Sequence, residues 1–244
     1  MNTGMKIRNR RIFSKDGRTF IIPFDHGISA GMMSGLENVE KIVRIANKYA
    51  DAIMVRPGLM RKVSRSLNSN VGIILCLTGR LYKGVDHVKL NSVFEAIRNG
   101  ADAVCVEFKV GSVGDLENVA MASEIIEEAH TYGLPVLVTV YAQPEYIEIA
   151  GKRSYVDICR IAEEIGGDYI KTNIPDDADI LAECVKATSI PIILAGGEQK
   201  TSNIEERVER ALNAGIRGIA IGRNVWGDLC PEKKAISFRN IVHT

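Results

Sequence analysis

Residues 155–197 read "YVDICRIAEEIGGDYIKTNIPDDADILAECVKATSIPIILAGG". The run 155–167 carries apolar residues at helical spacing and stops on two glycines. Residues 168–173 form a short extended run, and 177–188 return to helical spacing. Residues 191–197 are a β-branched run that again ends on two glycines. Two strands separated by a helix lie parallel, because the crossover is far too long for a hairpin.

The same unit repeats in both directions along the chain. Extended apolar runs occur at 19–25, 51–55, 71–79, 101–108, 135–141 and 218–224. Amphipathic segments fill the intervals at 36–49, 92–100, 115–133 and 203–215, and the tail 231–243 supplies a last helix. The strands are nearly continuous in apolar residues, as expected of a parallel sheet covered by helices. Eight such units in 244 residues fit one closed (β/α)8 barrel spanning 1–244, with no linker to divide it. An open doubly wound sheet is the alternative, but no G-x-G-x-x-G follows the first strand.

Composition narrows the function classes. The 31 basic and 30 acidic residues nearly cancel, which gives no electrostatic case for nucleic acid or a membrane surface. No apolar run approaches the roughly 20 residues of a membrane span. The start "MNTGMKIRNRRIF" is basic without the apolar stretch of an export signal, so a cytoplasmic protein is expected. The five cysteines show no C-x-x-C spacing and read as reduced core residues, and the four histidines show no metal-ligand spacing. No metal and no cofactor are expected.

In a (β/α)8 barrel the active site forms where the strands end. Lys171 stands there in "DYIKTN", sharing a strand face with Tyr169 and Asn173. A desolvated lysine has a lowered pKa and can attack a carbonyl to give a Schiff base. A lysine that reaches solvent or holds an ion pair fits the same position. The glycines of "AGGEQKTS" and "IGRNVWGD" end strands seven and eight, where such barrels bind phosphate. Gly196, Gly197 and Gly222 would let backbone N–H groups approach the anion, and Arg223 would add a forked hydrogen bond. Asp25 in "PFDHG" could orient hydroxyls or move protons, and Tyr141 could act as acid or base beside a cation. His26 is expected to face away from Asp25 in a supporting role. Lys109 is a second strand-end lysine that could depress the pKa of Lys171 or hold another phosphate.

Five motifs occur in order along nearly the whole chain: "IIPFDHGISAG…SGL", "VTVY", "GGDYIKTN", "ILAGGEQKT" and "AGIRGIAIGRNVW". Together they resemble the archaeal-type class I fructose-bisphosphate aldolases and their relatives. The resemblance implies a Schiff base on Lys171, an acid/base tyrosine at Tyr141 and a supporting carboxylate at Asp25. It also implies a phosphate site at Gly196, Gly197, Gly222 and Arg223. The implied partner is a small sugar phosphate, and the implied assembly is a homo-oligomer, up to a pentamer-based decamer. The implied reaction is cleavage of fructose 1,6-bisphosphate to dihydroxyacetone phosphate and glyceraldehyde 3-phosphate.

The chain departs from that family in "TVYAQPEY", where Thr139 replaces a tryptophan and the Pro-Arg-Gly after the tyrosine is gone. These changes fall on the aldehyde half of the pocket. They leave open a transaldolase-type 2-amino-3,7-dideoxy-threo-hept-6-ulosonate synthase that uses aspartate semialdehyde. A sugar-phosphate-binding barrel without turnover is the reading of a different class.

Overall fold

A computed structural model describes residues 2–81, 87–111, 114–197 and 203–244. Eight parallel strands close into a barrel. They are β1 (Thr19–Pro23), β2 (Ala52–Val55), β3 (Gly72–Cys76), β4 (Ala103–Val110), β5 (Val136–Ala142), β6 (Tyr169–Thr172), β7 (Ile192–Ala195) and β8 (Gly218–Ala220). The expected (β/α)8 barrel is therefore the fold.

Alternation along each strand sorts residues into two cores. Outward residues such as Ile22, Ile53, Leu75, Val104, Val138, Ile170 and Leu194 pack beneath the helices. Inward residues Ile21, Met54, Ile74, Cys105, Leu137, Tyr169 and Ile193 fill the barrel itself. The helices ending at Arg98, Thr131, Glu164 and Asn213 each run into a glycine of positive φ within two residues. The one over Arg153–Glu164 gives way to Gly166 at φ +95°, a backbone region that favours glycine.

The basic start of the chain, read only as lacking an export signal, forms helix α1 (Thr3–Ile12) across the N-terminal end of the barrel. Asn2 caps it by accepting a hydrogen bond from the Met5 N–H at 3.0 Å. Ile12 enters the inner core, and Tyr169 donates its hydroxyl to Asn9 Oδ1 at 2.7 Å. A side chain at Gly72 would overlap the Arg11 carbonyl, so glycine there is what lets the plug seat. Other short helices, Gly27–Ala30, Pro57–Val63, Pro144–Ala150 and Arg223–Trp226, follow strands directly and shape the opposite end. A two-stranded antiparallel ribbon, 78–79 with 88–89, leaves the barrel after β3. Among the described residues no helix is long and apolar enough to cross a membrane.

Candidate active site

Strand register decides which polar side chains meet. Glu107 on β4 lies beside Thr139 on β5, and Thr139 lies beside Lys171 on β6. One level higher Lys109 pairs with Tyr141. All five share the inward parity of Cys105, Leu137 and Tyr169, so they point into the mouth. From the other side β1 delivers Asp25, which is buried. The barrel thus holds Lys171, 7 % exposed, between carboxylates from β1 and β4.

Each member of the set is braced. Asp25 Oδ2 accepts the Cys76 thiol at 3.3 Å. Arg56, at the end of β2, donates to the Asp25 carbonyl at 3.3 Å and the Thr78 carbonyl at 2.9 Å, tying three strand exits together. A Cβ at Gly79 would meet that guanidinium at 2.6 Å and push it from its present seat. Glu107 is fixed through its backbone: Thr78 Oγ1 accepts its N–H at 2.6 Å and donates to its carbonyl at 3.1 Å. Its carboxylate Oε1 lies 3.3 Å from Nε2 of the buried His87.

Charge follows from these neighbours. Burial alone would lower the Lys171 pKa, as expected from the sequence, but the acidic groups around it, with Asp25 and Glu107 ionised, outweigh it and hold it above the ordinary lysine value. Burial opposes ionisation of Asp25, yet His26, Lys171 and Arg56 keep its pKa below the usual carboxylate value. Burial likewise opposes ionisation of Glu107, and the bond to His87 and the charge of Lys171 bring its pKa below the usual value. Burial raises the Tyr141 pKa, with the carboxylates adding and Lys171 subtracting. The resting site is an ammonium among two carboxylates and a phenol. Lys109 is not among the main causes of the shift at Lys171; its own pKa is lowered by burial and by Arg80.

A cavity of about 230 Å3 opens above Lys171. It brings together Tyr141, Lys171, Gly196, Gly197, Gly222 and Arg223, with Pro23, His26 and Asn173. Gly222 is forced by packing, because a Cβ there would overlap the Pro23 carbonyl oxygen. The same loop is pinned by Trp226 Nε1 donating to the Pro23 carbonyl at 2.9 Å and by Asn224 donating to the Gly196 carbonyl at 3.2 Å. Gly197 has φ +69°. The rest of the "AGGEQKTS" loop, 198–202, lies outside the described residues.

Two placements differ from the sequence reading. His26 does not turn away: the strand has ended, so alternation no longer applies, and its Nδ1 sits 3.6 Å from Asp25 Oδ1. Burial keeps its pKa below the ordinary value, and its ring meets Trp226 edge-on with centroids 5.6 Å apart. Glu107 was not singled out at all. The run 101–108 reads as a strand ending at Phe108, whereas β4 continues to Val110 and aims Glu107 inward. Among the described residues no three His, Cys, Asp or Glu side chains converge as a metal site would need.

The barrel therefore carries a buried, inward lysine among acids at its mouth, beside a cavity lined by three glycines and Arg223. Residues 19–228 match the model of the DeoC/LacD family aldolases. The chain is 30 % identical over 247 residues to 2-amino-3,7-dideoxy-D-threo-hept-6-ulosonate synthase of Halobacterium salinarum, covering 99 % of this chain and 92 % of that one. A solved archaeal fructose 1,6-bisphosphate aldolase superposes with a TM-score of 0.88 at 30 % identity, over 98 % of each chain. An archaeal fructose-1,6-bisphosphate aldolase whose catalytic lysine is covalently bound to the carbinolamine intermediate superposes with a TM-score of 0.89 at 29 % identity, over 98 % of this chain and 100 % of that one. The protein is an aldolase of class I, an enzyme that works on carbon–carbon bonds. It belongs to the DeoC/LacD aldolase family.

Proposed function

We propose that the protein is a Schiff-base aldolase acting on a phosphorylated ketose, with Lys171 as the nucleophile. The observation that carries this reading is the position of Lys171: inward on β6, buried, and opening into the cavity that Gly196, Gly197, Gly222 and Arg223 line. The substrate phosphate would rest on those glycine N–H groups and the Arg223 guanidinium. The C2 ketone then lies over Lys171, whose amine forms an iminium. The iminium draws electrons from the C3–C4 bond, so cleavage needs no free carbanion. Tyr141, one level above Lys171, takes the proton from the C4 hydroxyl and returns one to the enamine. Asp25, held ionised by its cationic neighbours, orients the substrate hydroxyls and stabilises the iminium.

The substrate of this reading is fructose 1,6-bisphosphate, cleaved to dihydroxyacetone phosphate and glyceraldehyde 3-phosphate; the archaeal aldolases that superpose on the chain support it. A second reading is favoured by the altered "TVYAQPEY" on the aldehyde side and by the Halobacterium salinarum relative: transfer of a ketose fragment to aspartate semialdehyde. Parallel assays decide between them. Triose phosphate release from fructose 1,6-bisphosphate supports the first reading. A new heptulosonate formed only with aspartate semialdehyde supports the second. Activity on neither, with no borohydride-trapped adduct, overturns both.

A further inference from the structure

We propose that Glu107 accepts the proton of the Lys171 ammonium and later donates it to the carbinolamine hydroxyl, with His87 holding its carboxylate in place. The inference rests on the Schiff-base reading of Lys171.

The resting lysine is charged, and an ammonium has no lone pair with which to attack a ketone. Something in the site must take its proton before attack and supply one when the carbinolamine loses water. Among the described residues Asp25 and Glu107 are the two carboxylates that face Lys171. They are not equivalent. Asp25 is sealed in the barrel, already accepts the Cys76 thiol, and lies within the field of Arg56. A carboxylate in that setting is a fixed charge. Glu107 occupies the same level of the barrel as Lys171, with only Thr139 between them. Its side chain keeps 24 % of its surface open, so it can exchange protons with solvent in the mouth. Its polar partner on the far side is a histidine whose side chain is 1 % exposed, and its backbone is clamped on both sides by Thr78. Among the described residues the other titratable groups that face this pair are Tyr141, Cys105, His26 and Lys109. The phenol and the buried thiol give up protons less readily than a carboxylic acid, His26 is turned toward Asp25 at 3.6 Å, and Lys109 is a cation.

The step balances. The Lys171 proton passes to a Glu107 oxygen, and the freed amine adds to C2, whose oxygen becomes the carbinolamine hydroxyl. Glu107 returns the proton to that hydroxyl as the C–O bond breaks. Water leaves, the iminium carries the positive charge the ammonium held, and Glu107 is again a carboxylate.

The test is the rate of adduct formation on Lys171, read by quenching wild type and variants with borohydride at short times after adding dihydroxyacetone phosphate. Glu107→Gln keeps the shape and loses the base. The expected result is adduct formation slowed by about 100-fold or more at pH 7, partly regained as pH rises. The expected kcat falls while KM changes little, and Glu107→Asp recovers part of the rate. His87→Asn gives a smaller loss. If Glu107 were only a negative charge beside Lys171, its removal would lower the lysine pKa, so trapping in Glu107→Gln would be faster or displaced to lower pH. An unchanged or faster rate therefore overturns the proposal, as does a Glu107→Asp variant that folds normally and is no better than Gln. Failure of the wild type to trap on Lys171 is a separate result, and it overturns the Schiff-base reading itself.

Discussion

The two ends of β6 solve opposite problems with side chains two residues apart. At the closed end Tyr169, 1 % exposed, is satisfied: its hydroxyl reaches Asn9 of α1 and its ring meets Phe13 at 5.1 Å. At the mouth Lys171, 7 % exposed, is a charge held in the barrel by carboxylates from two other strands. The closed end is held by apolar packing and a hydroxyl bond; the mouth is held by charges that depend on one another. An apolar replacement of the lysine would remove the chemistry and leave the two carboxylates without their countercharge, which is the sense in which the two ends differ.

Substitutions can break that contrast. The largest effect is expected from Lys171→Met, which loses turnover and all borohydride adduct, and whose thermal midpoint falls because Asp25 and Glu107 lose a buried countercharge. Tyr141→Phe is expected to lose about 10²–10⁴-fold in kcat and still form the adduct, measured by steady-state rates beside trapping. At the closed end Ile12→Ala should cost about 2–5 kcal/mol in denaturant unfolding, with KM unchanged in the folded fraction. Gly222→Ala sits between the two classes. Its Cβ meets the Pro23 carbonyl, so about 1–3 kcal/mol of stability and the affinity for phosphorylated substrate should fall together.

The smallest effect is a pH dependence far from the mouth. His243 lies 2.7 Å from Asp16 and 2.9 Å from Asp51. Hydrogen bonding to Asp51, then to Asp16, raises its pKa above 6.5 despite partial burial. The stabilisation from this raised folded-state value is complete below pH 6.5 and disappears as pH climbs through it. His243→Asn should therefore lower stability by about 1 kcal/mol at pH 5.5 and by almost nothing at pH 9, as read from urea midpoints.

Much of this was legible in the sequence because it is local. The strand and helix periods placed all eight strands, and Lys171, Asp25, Tyr141 and Arg223 stood out as polar residues closing apolar runs. Three features were not local. Glu107 looks like a residue inside a strand until the pairing Glu107–Thr139–Lys171 fixes its level and direction. The charge on Lys171 is set by groups on other strands, among them Glu107 and Asp25, 64 and 146 residues away, so burial alone suggested the wrong direction for its pKa. Helix α1 has little apolar pattern of its own; Met5 and Ile12 are its buried residues, and the open end of the barrel is what it folds against.

The central claim is that Lys171 is the carbon-binding nucleophile, and reductive trapping tests it directly. The protein is incubated with dihydroxyacetone phosphate, reduced with borohydride, digested and mapped by mass spectrometry. The account predicts one reduced adduct, on the peptide that contains "DYIKTN", absent from Lys171→Met. An adduct on Lys109, or none on a folded wild-type protein, would contradict it.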